Sequence, residues 1–175
     1  MIERLHALLV ALPAFAAEPT PETADERAAR LEPVAAAIWQ ATETTPAGFT
    51  RGQWAAVIAA LGWHESRYAK YVTEGRCSEG PVGMRCDGGR AIQAWQQWQP
   101  ACPAAWRLPH GSREQLNESA RCASRLLVSA LRRCRSRAPS VLAGAFSGYA
   151  GASCVWKPAQ RRERTARNFM GRLGV

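Results

Sequence analysis

Residues 50–71 read TRGQWAAVIAALGWHESRYAKY, and one acid inside this run decides how the chain is read. The pattern predicts a single amphipathic helix with Thr50 as its N-cap. Counting back from Glu65, the residues Leu61, Ile58 and Trp54 fall at offsets of four, seven and eleven. At about 100° per residue, those four side chains lie within roughly 60° of one another. Glu65 therefore occupies the apolar stripe, the face that has to be buried. Leaving water disfavours an ionised carboxylate, so its pKa is expected to rise. A general acid working near neutral pH needs that property.

Working outward, a first helix is expected over Ala24 to Thr42, with Ala28, Leu31, Ala35 and Ile38 on one face. Thr44 to Phe49 breaks it. The stretch from Thr73 to Gly89 is too rich in glycine for helix and predicts a looped or weakly β-hairpin segment. Arg90 to Trp98 predicts a short helix that Pro100 and Pro103 end. Ser112 with Gln115 forms a capping-box pattern, and the helix it opens carries Leu116, Ala120, Ala123, Leu127, Ala130 and Cys134 on one face. Another helix starts at Pro139-Ser140. The last, after Pro158, is basic, with Arg161, Arg162, Arg164, Arg167 and Arg172.

The 175 residues suit one domain with its own core, and 47% apolar content with seven tryptophans argues against disorder. Those indoles suit either core packing or stacking on the apolar face of a sugar ring. The formal charge of +9 favours anionic partners: nucleic acid, acidic lipid, or wall material bearing peptide carboxylates. The amino terminus is similar to a secretory signal: MIERLH, an apolar run, then the small-x-small sequence Ala14-Phe15-Ala16-Ala17. The expected division is a signal over 1–17, a linker over 18–23 and a domain over 24–175; a short N-terminal helix packed on the domain is the alternative. The run is too short to span a membrane, so no stable membrane insertion is expected.

Six cysteines without C-x-x-C spacing, behind such a leader, read as disulfides rather than as a zinc site. The preferred pairing, from proximity along the chain, joins Cys77 to Cys86, Cys102 to Cys122 and Cys134 to Cys154. His64-Glu65 begins like H-E-x-x-H, but Tyr68 stands where the second imidazole belongs, so no metal is expected. Ser66 has no Gly-x-Ser-x-Gly context, which removes a serine hydrolase. Arg-rich helices do bind phosphates. Export and disulfides nevertheless place the chain away from nucleic acid, and nucleic acid is not an expected partner.

Glu65-Ser66 at a helix end, a Gly-rich loop, Ala91-Ile92-Gln93-Ala94-Trp95-Gln96 and a distant Tyr149 form an ordered set. This set resembles the lysozyme-like superfamily, most closely soluble lytic transglycosylases and phage or goose-type muramidases, from about Thr50 to Cys154. The resemblance implies a mainly α, α+β lysozyme-like fold: a single helical domain with a small irregular or β-hairpin segment, tied by disulfides. It implies Glu65 as catalytic acid and base, Ser66 supporting it by hydrogen bonding, Trp95 and Gln96 lining a sugar groove, and Tyr149 contacting the glutamate or the sugar. The partner would be peptidoglycan glycan strands, met by a secreted or periplasmic monomer without a cofactor.

A two-carboxylate glycosidase needs a second acid at a set separation. Asp87, Glu74 and Glu79 all fall in the Gly-rich segment. The resemblance then implies the transglycosylase route across the MurNAc-β-1,4-GlcNAc bond, with a 1,6-anhydro product; a hydrolytic muramidase is the alternative. Gln93 stands where the family usually has glycine, and Ser147-Gly148-Tyr149-Ala150-Gly151 lacks its asparagine. Both departures keep open a non-catalytic, secreted wall-binding module.

Overall fold

The computed structural model describes residues 1–16, 21–77 and 86–175. In chain order the elements are α1 (Ile2–Val10), α2 (Ala24–Ala41), a 3-10 turn (Thr42–Thr44), α3 (Arg51–Ser66), α4 (Lys70–Thr73), α5 (Cys86–Gly89), β1 (Ala91–Ile92), β2 (Gln97–Trp98), α6 (Pro103–Trp106), α7 (Arg113–Cys134), α8 (Val141–Tyr149) and α9 (Pro158–Leu173). The protein is thus mainly helical with one small antiparallel sheet among the described residues. Asp87 and Gly88 have φ of 53° and 68°, which makes α5 a left-handed turn rather than a regular helix.

Helix α3 is the axis of the core. Thr50 Oγ1 accepts from Gln53 N–H (3.2 Å) while Gln53 Oε1 accepts from Thr50 N–H (3.0 Å), so the helix starts in a full capping box. Every residue from Trp54 to Gly62 is buried, so the helix is enclosed all round instead of amphipathic. Ala55, Ala56, Ala59 and Ala60 are short enough to admit neighbours on the faces expected to meet water. Helix α9 lies along α3, and α1, α2 and α7 close other sides. Burial of Trp54, Ile58 and Leu61 stabilises the fold by about 1.5–3 kcal/mol each. The Trp54 indole N–H is satisfied by Ser124 Oγ at 2.8 Å.

Residues 2–10 form a helix seated in this core. Leu5 and Leu9 are fully buried, and Leu8 and Leu12 nearly so. The His6 ring bonds the Ala28 carbonyl (2.7 Å), and Arg27 Nη2 donates to the Leu12 carbonyl (3.2 Å). Residues 17–20, which hold the end of the expected cleavage motif and the start of the expected linker, lie outside the described residues.

The expected helix over Arg90–Trp98 is instead the β1–β2 hairpin, with Ala91 opposite Trp98 and Ile92 opposite Gln97. Gln93 and Gln96 have φ of 57° and 48°, left-handed values that no right-handed helix contains. Tertiary hydrogen bonds hold this shape. Gln97 Nε2 donates to the Ser119 carbonyl (2.8 Å), Ser119 Oγ donates to Gln97 Oε1 (2.7 Å), and Trp106 Nε1 donates to the Gln97 carbonyl (3.1 Å). The sheet therefore falls after the Gly-rich segment. That segment contributes α4 and α5 at its edges, and its residues 78–85 are not among those described.

Helix α7 opens with half of the expected capping box. Ser112 Oγ accepts from Gln115 N–H, but Gln115 Oε1 accepts from Gly111 N–H (3.0 Å) rather than from Ser112. The disulfides join Cys77–Cys86, Cys102–Cys122 and Cys134–Cys154, the preferred pairing. Loop closure over 9, 20 and 20 residues stabilises by about 3 kcal/mol each on the chain-entropy model. No helix among the described residues is long and apolar enough to cross a membrane.

Candidate active site at the end of helix α3

Helix α3 ends abruptly because two non-glycine residues in succession, Arg67 (φ 56°) and Tyr68 (φ 52°), take left-handed backbone. Such residues carry strain that surrounding contacts must hold. Tyr68 supplies several of those contacts. Its hydroxyl runs back along the helix to donate to the Ala59 carbonyl (2.7 Å), and its N–H donates to Ser66 Oγ (3.1 Å). Arg30 Nη1, from α2, clamps its carbonyl at 3.0 Å. Gly62 makes room: a Cβ there would meet the Tyr68 hydroxyl at 2.6 Å. Ser66, expected to bond Glu65, instead donates to the Gly62 carbonyl (3.2 Å) and receives Tyr68 N–H, so it shapes the turn.

Glu65 projects from this turn with 19% of its side chain exposed. Its Oε1 accepts from Nη1 of Arg162 on α9, whose guanidinium lies over the Trp156 ring, 5.1 Å from the centroid. Burial pushes the Glu65 carboxyl above its ordinary value; Arg162 opposes this by charge and hydrogen bond and does not cancel it. His64 bonds Thr165 Oγ1 at 2.8 Å. Burial first, then the Arg162, Arg67 and Arg161 charges, hold its pKa down at about 4. Its imidazole is therefore neutral at physiological pH.

Tyr149, at the end of α8, donates its hydroxyl to the Trp95 carbonyl at 2.7 Å. Burial, and after it the Glu65 charge, push its phenol far above the ordinary value. Tyr149 thus ties the β1–β2 turn to α8 within the electrostatic reach of Glu65. The Trp95 ring, expected on a sugar groove, is fully buried, and its N–H bonds the Ile58 carbonyl of α3 (3.1 Å). Trp95 therefore offers its carbonyl to the site, not an indole face. Gln96 is half-buried and folds back on the Gln93 carbonyl (3.2 Å). Gln93 adopts the left-handed backbone that glycine favours, donates to Gln115 Oε1 (2.9 Å), and keeps its own Oε1 buried without a partner among the described residues.

Arg162 and Trp156 were not singled out in the sequence, although a signal for Arg162 was there. From Arg162, the buried residues Ala166, Phe169 and Leu173 of α9 fall at four, seven and eleven, the offsets that mark Glu65 on its own helix. The surrounding run of arginines masked it. Glu74 is paired with Arg76 and Asp87 with Arg90, and Glu79 lies outside the described residues. A cavity of about 450 Å³ opens beside Trp63, lined also by Arg161, Arg164 and Arg172, and Glu65 does not line it. Among the described residues no cluster of three or more histidine, cysteine, aspartate or glutamate side chains is placed to hold a metal ion. No protein-family model matches this chain, and no curated protein or solved structure matches it either.

Proposed function

We propose that this protein is a peptidoglycan lytic transglycosylase of lysozyme-like fold, acting outside the cytoplasm on the MurNAc-β-1,4-GlcNAc bond. The observation that carries the reading is Glu65 itself: a carboxyl at the end of a buried helix, raised above its ordinary pKa by burial, within electrostatic reach of Tyr149. Protonated Glu65 donates to the glycosidic oxygen as an oxocarbenium-like transition state forms. As carboxylate it then withdraws a proton from the C6 hydroxyl, which closes the 1,6-anhydro ring. Among the described residues the two candidate second acids, Glu74 and Asp87, are already paired with Arg76 and Arg90, which supports the anhydro route. Three disulfides and a +9 charge suit an oxidising compartment and an anionic wall.

Digestion of purified sacculi followed by mass analysis of the released fragments tests this. Anhydro ends are expected from the wild type, and no release from Glu65→Gln. Hydrated reducing ends alone would assign the alternative, a hydrolytic muramidase. The Glu65–Arg162 pair favours a third reading, a wall-binding module that does not cut, because a carboxylate locked on a guanidinium has no proton to give. Pelleting with sacculi and no fragment release is the outcome that reading requires.

A further inference from the structure

We propose that Arg162 reads the substrate: it pairs with Glu65 in the free protein and transfers to a carboxylate of the wall's peptide stems when a glycan strand binds. This rests on the transglycosylase reading and adds to it a requirement for an acidic substrate.

The pair is built to exchange. Glu65 is the only hydrogen-bond partner of the Arg162 guanidinium among the described residues. The remaining N–H groups of the guanidinium face no acceptor there, although an arginine carries five. The Trp156 face holds the guanidinium by a contact indifferent to which anion it meets. Arg162 from α9 and Tyr149 from α8 are the groups coupled to Glu65, and Arg67 and Arg161 lie around the neighbouring His64. His64 is uncharged.

Proton bookkeeping explains why the exchange matters. While paired, Arg162 favours the Glu65 carboxylate and opposes the protonation that burial promotes. A neutral sugar offers nothing to draw Arg162 away. A stem carboxylate does: one guanidinium–carboxylate contact breaks and another forms. Glu65, left buried without its counter-charge, takes one proton from water. That proton is then available to the glycosidic oxygen. An uncharged glycan leaves the pair closed and the acid unarmed.

Sacculi before and after carbodiimide amidation of their carboxyl groups are the probe. Wild-type protein is expected to release fragments roughly tenfold faster from native than from amidated wall, the worth of one charge-assisted contact. Arg162→Met should erase that preference and move the alkaline limb of the pH–rate profile, where the catalytic acid loses its proton, upward. Arg162→Lys, which keeps the charge and loses the fork, should restore part of it. Arg164→Met, which removes one exposed cation from the same helix, should keep the preference and so separates it from general attraction to a basic surface. An unchanged preference in an active Arg162→Met protein overturns the proposal alone. If Arg162→Met does not fold, a wild-type preference in Arg162→Lys overturns it instead. No release by wild-type protein from either wall defeats the transglycosylase reading, and this inference with it.

Discussion

Glu22 and Glu65, the two arginine-paired glutamates that brace or end helix α3, are held in opposite ways. Glu22, whose side chain is 7% exposed, receives Arg30 through both oxygens (2.6 and 2.8 Å) and Arg27 through one (3.2 Å). Burial raises its pKa, but the two guanidiniums outweigh that and hold it below the ordinary value. Arg30 also grips the Tyr68 carbonyl and Thr73 Oγ1, and Arg27 the Leu12 carbonyl. Glu65 has one arginine on one oxygen, and burial wins. The first arrangement fixes the ion and uses it to brace the turn beyond α3. The second leaves burial, which favours the neutral acid, only partly opposed. A buried acid–arginine pair is therefore a strut or a reactive group according to how many donors surround the carboxylate.

The largest expected separation between the two is in activity. Glu65→Gln should lower fragment release by about 10²–10⁴-fold, the usual share of a general acid. Glu22→Gln should leave release within about tenfold at low temperature, because Arg30 keeps its bonds to Tyr68 and Thr73. Equal losses from both substitutions would abolish the distinction.

Stability should rank them the other way. Glu22→Gln leaves two mostly buried guanidiniums without their anion and should cost about 3 kcal/mol in denaturant titration. Glu65→Gln should change unfolding by less than about 1 kcal/mol, since the amide oxygen still accepts from Arg162 and the burial cost of a charge is gone. A Glu65→Gln protein as unstable as Glu22→Gln would mean that the α3 turn depends on its ion pair.

The contrast also marks what could be read from residues alone. Glu65 was legible because helical periodicity is local, and a single count places an acid among Trp54, Ile58 and Leu61. The disulfides agree with a pairing by proximity because each joins cysteines consecutive in the chain, 9 or 20 residues apart. The hairpin at 91–98 was not, because Gln97 and Ser119, 22 residues apart in sequence, hold it together. Full enclosure of α3 was hidden as well, since alanine carries no mark of facing a neighbour rather than water. Trp95 illustrates the limit: its ring was expected on a sugar groove, but whether it met sugar or core depended on the Ile58 carbonyl of another element. Ser66 was expected to support Glu65, and only the reversal of the chain at Arg67 and Tyr68 turns it toward the backbone.

Acid titration offers a finer comparison. His64 binds its proton at about pH 4 when folded against 6.5 as its reference, so its contribution to stability is present above 6.5 and lost as pH falls toward 4. Glu65 has the opposite sign. Its folded pKa lies above the reference of 4.5, so the folded state takes the proton first and gains stability as pH falls through that value. Glu22 is silent in this window, because its lowered pKa places its loss below 4.5. The two neighbours therefore have opposite slopes where their windows overlap, above pH 4.5. Glu65→Gln should uncover the His64 slope, up to about 1.4 kcal/mol per pH unit, as a loss on acidification. His64→Asn should uncover the Glu65 slope as a gain. The same pH dependence in both variants would show that neither group titrates as its surroundings require.

The smallest effect is the most discriminating. Double-mutant cycles on Glu22 with Arg30, and on Glu65 with Arg162, measure each coupling free of what the side chains do elsewhere. The bidentate, nearly enclosed Glu22–Arg30 pair should couple by about 2–3 kcal/mol. The single-contact Glu65–Arg162 pair should couple by about 1 kcal/mol or less, because the attraction is set against the cost of keeping that carboxylate charged. Glu65→Leu alone should not stabilise the protein, since Arg162, with 14% of its side chain exposed, would keep only the Trp156 face. Glu65→Leu with Arg162→Met removes both charges and should stabilise by about 1 kcal/mol. A coupling at Glu65 as large as that at Glu22 would make the site a second strut, too rigid to surrender its arginine to any substrate.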